Sequence, residues 1–186
     1  MSVSPRRSRE IEQDRYGPAK RILSRIAHPV AIVGAAHGAE RSCATGTVMY
    51  VSHVPPMVAI AEHPGSRTTR LIQASREFSV SLLHDAQQEL AVAAGRSAEG
   101  PDKFASLRIP VHEQPGHAIP AVAGSLATMW CRVTDERPTG DHILFVGEVV
   151  DAVTDDQKID ALLRYRRRYL RIGHWTSEEA PEGYPT

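Results

Sequence analysis

The chain has 186 residues, enough to bury a sizeable core as one domain with short extensions. Its 22 basic and 22 acidic residues cancel to a formal charge of zero, which argues against a generic binder of nucleic acid or of an anionic membrane surface. Only Lys20, Lys103 and Lys158 are lysines, so arginine carries most of the positive charge, and arginine suits planar contacts with phosphate or carboxylate.

The N-terminal "MSVSPRRSRE" has no apolar stretch of the signal-peptide kind, and residues 1–8 read as disordered. Residues 9–27 hold Ile11, Ile22, Leu23 and Ile26 among charges, a weak amphipathic helix interrupted at Gly17-Pro18. "PVAIVGA" (29–35), "TVMYV" (47–51) and "MVAIA" (57–61) then read as strands, and "SCATGTV" (42–48) as a strand with Gly46 inside it. A short helix is predicted from Ser66 through Leu71 and Ile72. In "EFSVSLL" (77–83), Phe78, Val80 and Leu82 alternate with Ser79 and Ser81, the period of a half-buried strand. A second helix is predicted from Asp85, with Gln88 three residues on and Gly95 after its end. "TMWCRV" (128–133) and "HILFVGEVVDAV" (142–153) resume the strand pattern, and "RYRRRYLRIG" (164–173) reads as a solvated helix face or the flank of an anion site. The tail "WTSEEAPEGYPT" (175–186) is an acidic surface arm. The helices do not alternate regularly with the strands, so a mainly β architecture is expected, a β-barrel with α insertions.

Four stretches invite chemistry. In "HPGSRTTRLI" (63–72) a turn at Pro64-Gly65 opens a helix, whose free N–H groups favour an anion beside Ser66, Arg67 and Thr68. The competing reading is an ordinary helix cap with a solvent-facing arginine. In "SCATGTV" the small residues around Gly46 leave room for a flat ring against the backbone, or simply for a β-bulge. Asp141-His142 stands at a turn that opens a strand, where His142 could orient a substrate or carry a proton, or lie exposed. The Arg/Tyr run at 164–173 suits nucleic acid in principle, but acidic residues on both flanks disfavour it. Cys43 and Cys131 form neither a ligand spacing nor a disulfide framework, and the nine histidines make no HxH or HxxxH pair. No metal site is expected, and a reduced cytoplasmic setting is. No apolar run reaches the roughly 20 residues of a membrane span. G-x-G-x-x-G is absent, so no nucleotide is held in Rossmann fashion.

The order of the pieces says more than any one of them. "HPVAIVGA", "SCATGTVMYVSHVPPMVAIA", "GSRTTRLIQASREFSVSLL", "GPDKF", "GDHILFVGEVV" and "RYRRRYLRIG" succeed one another at spacings that resemble the flavin reductase-like family of FMN-binding split β-barrels, from about Arg25 to Gly173. Residues 1–24 would then be an N-terminal extension, 25–173 the split-barrel domain and 174–186 a tail. The segment here departs from the family's T-A-S-S-Phe pattern, reading Ala44-Thr45-Gly46-Thr47-Val48.

The resemblance implies an NAD(P)H-dependent flavin reductase that uses FMN or FAD with NADH or NADPH. It implies a homodimer, and reduced flavin supplied to a flavin-dependent monooxygenase. It assigns Ser66, Arg67 and Thr68 to the flavin phosphate, and Cys43, Ala44, Thr45, Gly46 and Thr47 to the ring and ribityl chain. Lys103 and Phe104 of "GPDKF" and Tyr169 complete the cofactor set, and His142 with Asp141 stands where nicotinamide meets the flavin. Hydride transfer between stacked rings is catalysis by positioning, so the lack of a triad or a carboxylate pair is no objection. Two rivals remain: a flavin-retaining electron carrier, and a flavoenzyme acting on a substrate of its own.

Overall fold

The structure, a computed structural model, describes residues 17–155 and 160–172. The readings for residues 1–16 and for the tail lie outside that range. A helix, α1 (Gly17–Leu23), leads into strands β1 (His28–Pro29), β2 (Ala31–His37), β3 (Glu40–Gly46), β4 (Val48–His53) and β5 (Pro56–Glu62). Helix α2 (Arg67–Ser75) and β6 (Glu77–Leu82) follow, then a 3₁₀ turn (Asp85–Gln87) running into α3 (Gln88–Ala94), and α4 (Lys103–Ser106). The chain ends with β7 (Val111–His112), β8 (Ala121–Val122), the long β9 (Ala127–Thr139) and β10 (His142–Thr154), and β11 (Leu162–Tyr165) with β12 (Arg168–Arg171).

Seven strands form one antiparallel sheet in the order β3-β2-β6-β9-β10-β5-β4. β3 and β5 stand near opposite ends of that order and still touch, which bends the sheet into an open barrel. Val33, Ile60, Leu71, Ile72, Phe78, Val80 and Phe145 fill one side of the sheet. Val30, Ile32, Leu83, Ala91, Ala94, Phe104 and Leu162 fill the other. β2 is buried on both faces, which is why "VAIVGA" reads as a continuous apolar run rather than an alternating one. Gly147 sits at a register shift of β10, where a β-carbon would stand 2.6 Å from the Phe78 ring.

The mainly β reading of the sequence is borne out, and several local expectations are corrected. Gly17-Pro18 stands in the first turn of α1, a position that tolerates proline because its missing N–H is not needed there, and residues 9–16 of the expected helix lie outside the described range. Gly46 ends β3 and does not form a bulge within it. The 3₁₀ turn is capped by His84, whose ring accepts from the Ala86 N–H, and not by Asp85. Ser79 and Ser81 do not face solvent: the segment at 120–122 covers them, with Ser79 Oγ donating to the Pro120 carbonyl at 2.7 Å and Ser81 Oγ accepting from the Val122 N–H at 3.0 Å. The Arg/Tyr run is not a helix face. It is the β11–β12 hairpin, turning at Arg166 and Arg167 with φ of 50° and 65°. Among the described residues no helix is long and apolar enough to cross a membrane.

Candidate functional site

The first turn of α2 is built by its own cap. Ser66 has extended backbone, its Oγ accepts from the Thr69 N–H at 3.0 Å, and it donates to Thr69 Oγ1 at 2.9 Å. Thr69 Oγ1 donates in turn to the His63 carbonyl at 2.8 Å, closing the turn that sequence reading placed at Pro64-Gly65. Thr68 is buried, and its hydroxyl shares a 3.0 Å hydrogen bond with Ser42 of β3, fixing the helix to the sheet. The side chains expected to meet an anion are thus partly spent on structure. Helix geometry leaves the main-chain N–H groups of Arg67 and Thr68 without intrahelical partners. The Arg67 guanidinium lies across the same space, donating to the carbonyls of Ala98 at 2.6 Å and Gly100 at 2.5 Å.

These groups border a cavity of about 410 Å³ between β3, the end of β5, α2 and the 94–98 loop. Ser66, Arg67 and Thr68 form one end of it, and Ala44, Thr45, Ala61, Lys103 and His142 line the rest. A second groove of about 330 Å³ is lined by Thr45, Gly46, Thr47, Ala61, His142 and Arg164 among others. Thr45, Ala61 and His142 belong to both, so the two spaces meet along them. β3 is an edge strand whose outer side is partly taken, the Arg41 N–H donating to the Pro101 carbonyl and the Cys43 carbonyl accepting from Lys103, so its open main-chain groups lie around Thr45.

Lys103 reaches in from α4, donating Nζ to the carbonyls of Cys43 at 2.7 Å and Ala94 at 2.8 Å. Burial holds its ammonium below the usual lysine range. Glu62 ends β5 in phase with Val58 and Ile60 and is only 5% exposed. Its Oε1 is buried without a hydrogen-bond partner. Burial pushes its carboxyl up to about 7, while the Lys103 charge pulls the other way. His142 opens β10 after the Gly140-Asp141 turn, as the sequence suggested. Its Nδ1 lies 2.7 Å from Asp141 Oδ1, and that hydrogen bond holds the exposed Asp141 carboxyl below the usual carboxylate range. The His63 ring meets the His142 ring edge-on, with centroids 6.4 Å apart.

Of the residues singled out from sequence, Ala44, Thr45, Gly46, Thr47, Ser66, Arg67, Thr68, Lys103 and His142 converge on these two spaces. Thr45 enters with its hydroxyl already committed to the Ala91 carbonyl. The other residues stand apart. The Cys43 and Phe104 side chains lie in the core, Phe104 beneath the Arg41 guanidinium. Tyr169 packs against that same core, with the Arg164 guanidinium 5.8 Å from its ring centre. Asp141 meets the site through its hydrogen bond to His142. Sequence reasoning missed Glu62 and the 94–98 loop, and held Ser42 and His63 inside its candidate stretches without giving either a role. For Glu62 the signal was present: a charged residue continuing the period-2 phase of Val58 and Ile60.

The chain is similar to several known proteins. Residues 23–173 match the family described as flavin reductase like domain. The reductase component of 4-nitrophenol 4-monooxygenase/4-nitrocatechol 2-monooxygenase from Rhodococcus opacus is 34% identical over 72% of this chain and 69% of its own. The NADH:riboflavin 5'-phosphate oxidoreductase of Streptomyces pristinaespiralis is 32% identical over 79% of this chain and 82% of its own. Among solved structures, a homologue of nitrilotriacetate monooxygenase component B from Mycobacterium thermoresistibile superimposes with a TM-score of 0.78 at 28% identity, covering 94% of each chain.

Proposed function

The chain belongs to the flavin reductase-like domain family, and from that membership we propose that it is an NAD(P)H:flavin oxidoreductase acting in the paired grooves between β3, β5 and α2. One observation carries the placement. An anion seat at the start of α2 runs on, past Thr45 and Ala61, into a groove bordered by the free edge of β3. That combination fits a phosphorylated flat heterocycle, FMN or the FMN half of FAD. A bound flavin supplies the ring that accepts a hydride from reduced nicotinamide, NADH or NADPH.

The chain's own residues bind and orient. The N–H groups of Arg67 and Thr68 meet the phosphate, with the Arg67 charge beside them. The outward-facing main chain of β3 at Thr45 offers hydrogen bonds to the ring edge, where the small side chains of residues 44–47 permit close approach. Lys103 holds β3 against α3, so the ring edge of the groove is rigid. His142, oriented by Asp141, steers the nicotinamide into the mouth that the two grooves share. Cys43, Phe104 and Tyr169 act from behind, by packing. Supply of reduced flavin to an oxygenase partner would fit the name of the Rhodococcus opacus relative, the reductase component of a monooxygenase. The exposed Met49, Tyr50 and Val54 on and beside edge strand β4 support a homodimer.

The test is NADH and NADPH oxidation with and without added FMN, FAD and riboflavin. Rates that scale with added flavin are expected; a protein inert to both nucleotides at every flavin concentration overturns the assignment. For His142→Ala, the nicotinamide KM is expected to rise about three- to tenfold with kcat within about threefold of wild type. Unchanged KM and kcat would remove His142 from the site.

A further inference from the structure

Of the ionisable side chains on the cavity that the proposed function leaves unused, His63, Arg96 and Glu62, it is Glu62 that is buried. Its carboxyl is buried, Oε1 has no hydrogen-bond partner, and the residue lines the same space as Ser66, Arg67 and Thr68. Oε1 lies against β3 at Gly46, where a β-carbon would come within 3.4 Å of it. An acid at this point is costly unless it does something, because a buried, unpaired carboxylate has lost its water.

We propose that Glu62 couples the arrival of an anionic ligand group in this cavity to the uptake of one proton from solvent. The inference rests on the anion seat of the proposed reductase. With the cavity free of an anion, the Lys103 charge favours the Glu62 carboxylate. When a phosphate enters the positive end, it competes for that same charge and repels the carboxylate, so the neutral acid becomes the stable form. One carboxylate and one proton give one carboxylic acid, and no electron moves. Besides Lys103, the other charged or titratable groups on this space are Arg67 from α2, Arg96 just after α3, His142 from β10 and His63 next along the chain. β3 meets the carboxyl at Gly46 and brings the uncharged Ser42, Ala44 and Thr45 to the same space. The carboxyl pushed up to about 7 by burial agrees with this geometry, since little further change is needed to keep it protonated above neutrality.

Isothermal titration of the full chain with FMN and with riboflavin, in buffers of different ionisation enthalpy, reads the proton directly. At about pH 8 the FMN phosphate is already a dianion, so its own proton does not confuse the count. The wild type is expected to take up about 0.5–1 proton with FMN and close to none with riboflavin, and its FMN affinity to fall towards tenfold per pH unit above about pH 7.5. Glu62→Gln is expected to abolish the uptake, which separates it from protons taken by His63 or His142. FMN binding with uptake below about 0.2 proton, or equal uptake by Glu62→Gln, overturns the coupling alone. No binding of FMN at any pH overturns the anion seat and the coupling together. The wild-type buffer series stands even if the variant does not fold.

Discussion

Arg67→Ala is expected to weaken FMN binding about 10- to 100-fold while riboflavin binding changes by less than about threefold. The guanidinium stands at the positive end of the cavity, beside the first N–H groups of α2. A charge-assisted contact contributes about 1.5–3 kcal/mol, and each 1.4 kcal/mol is tenfold in affinity. Riboflavin has the ring and the ribityl chain but no phosphate, so it does not use this contact. Arg67 also ties the helix to the 98–100 loop through two carbonyls. Parallel flavin-fluorescence titrations with the two ligands separate these roles. A phosphate role lowers FMN affinity selectively, and equal losses for both ligands would assign Arg67 to the loop alone.

Glu62→Gln is expected to stabilise the ligand-free protein against the wild type at alkaline pH by about 3 kcal/mol more than at pH 4. The folded carboxyl is pushed up to about 7 from an ordinary 4.5, mainly by burial. The folded state therefore holds this proton more tightly than the unfolded chain does. The stability it contributes is complete below about pH 4.5 and is lost as pH rises through about 7. The gap, 7 − 4.5, is about 2.5 pH units at about 1.4 kcal/mol each. Glutamine has no proton to lose, so the difference between variant and wild type should grow across that window. For a chain of this size the change corresponds to about 6–12 °C in Tm. Denaturant midpoints at pH 4, 6 and 8.5 test it. Curves that stay parallel across the three pH values would show that folding does not raise the Glu62 pKa.

What was legible in the sequence was local. The cap at Ser66 and the helix it starts follow from a turn, a hydroxyl and an apolar face, all within ten residues. The turn at Asp141 that presents His142 was legible for the same reason. What was not legible depended on partners distant in the chain. Ser79 and Ser81 alternate with apolar neighbours as on a solvated strand, but the 120–122 segment covers them and satisfies their hydroxyls. "RYRRRYLRIG" carries residues that tolerate a helix, and nothing local announces that Arg166 and Arg167 adopt positive φ; β1, pairing with β11, supplies the context that makes a strand of it. The family motif brought Cys43 and Phe104 into the candidate set by position, while burial decides that their side chains serve the core. Glu62 was overlooked because it ends an apolar run. Its meaning appears only when the curl of the sheet sets β5 against β3.

The central claim is that hydride reaches flavin in the groove that passes Ala61. Ala61 is exposed on β5 and borders both halves of that groove, so Ala61→Trp fills it without entering the core. The measurement is anaerobic loss of flavin visible absorbance after NADH is mixed with FMN, for the wild type and for Ala61→Trp proteins of equal thermal stability. The wild type should bleach FMN rapidly, and the variant should be slower by at least about 100-fold, the scale on which misplaced reactants lose rate. An Ala61→Trp protein that bleaches FMN as fast as the wild type would show that the reaction takes place elsewhere on the molecule.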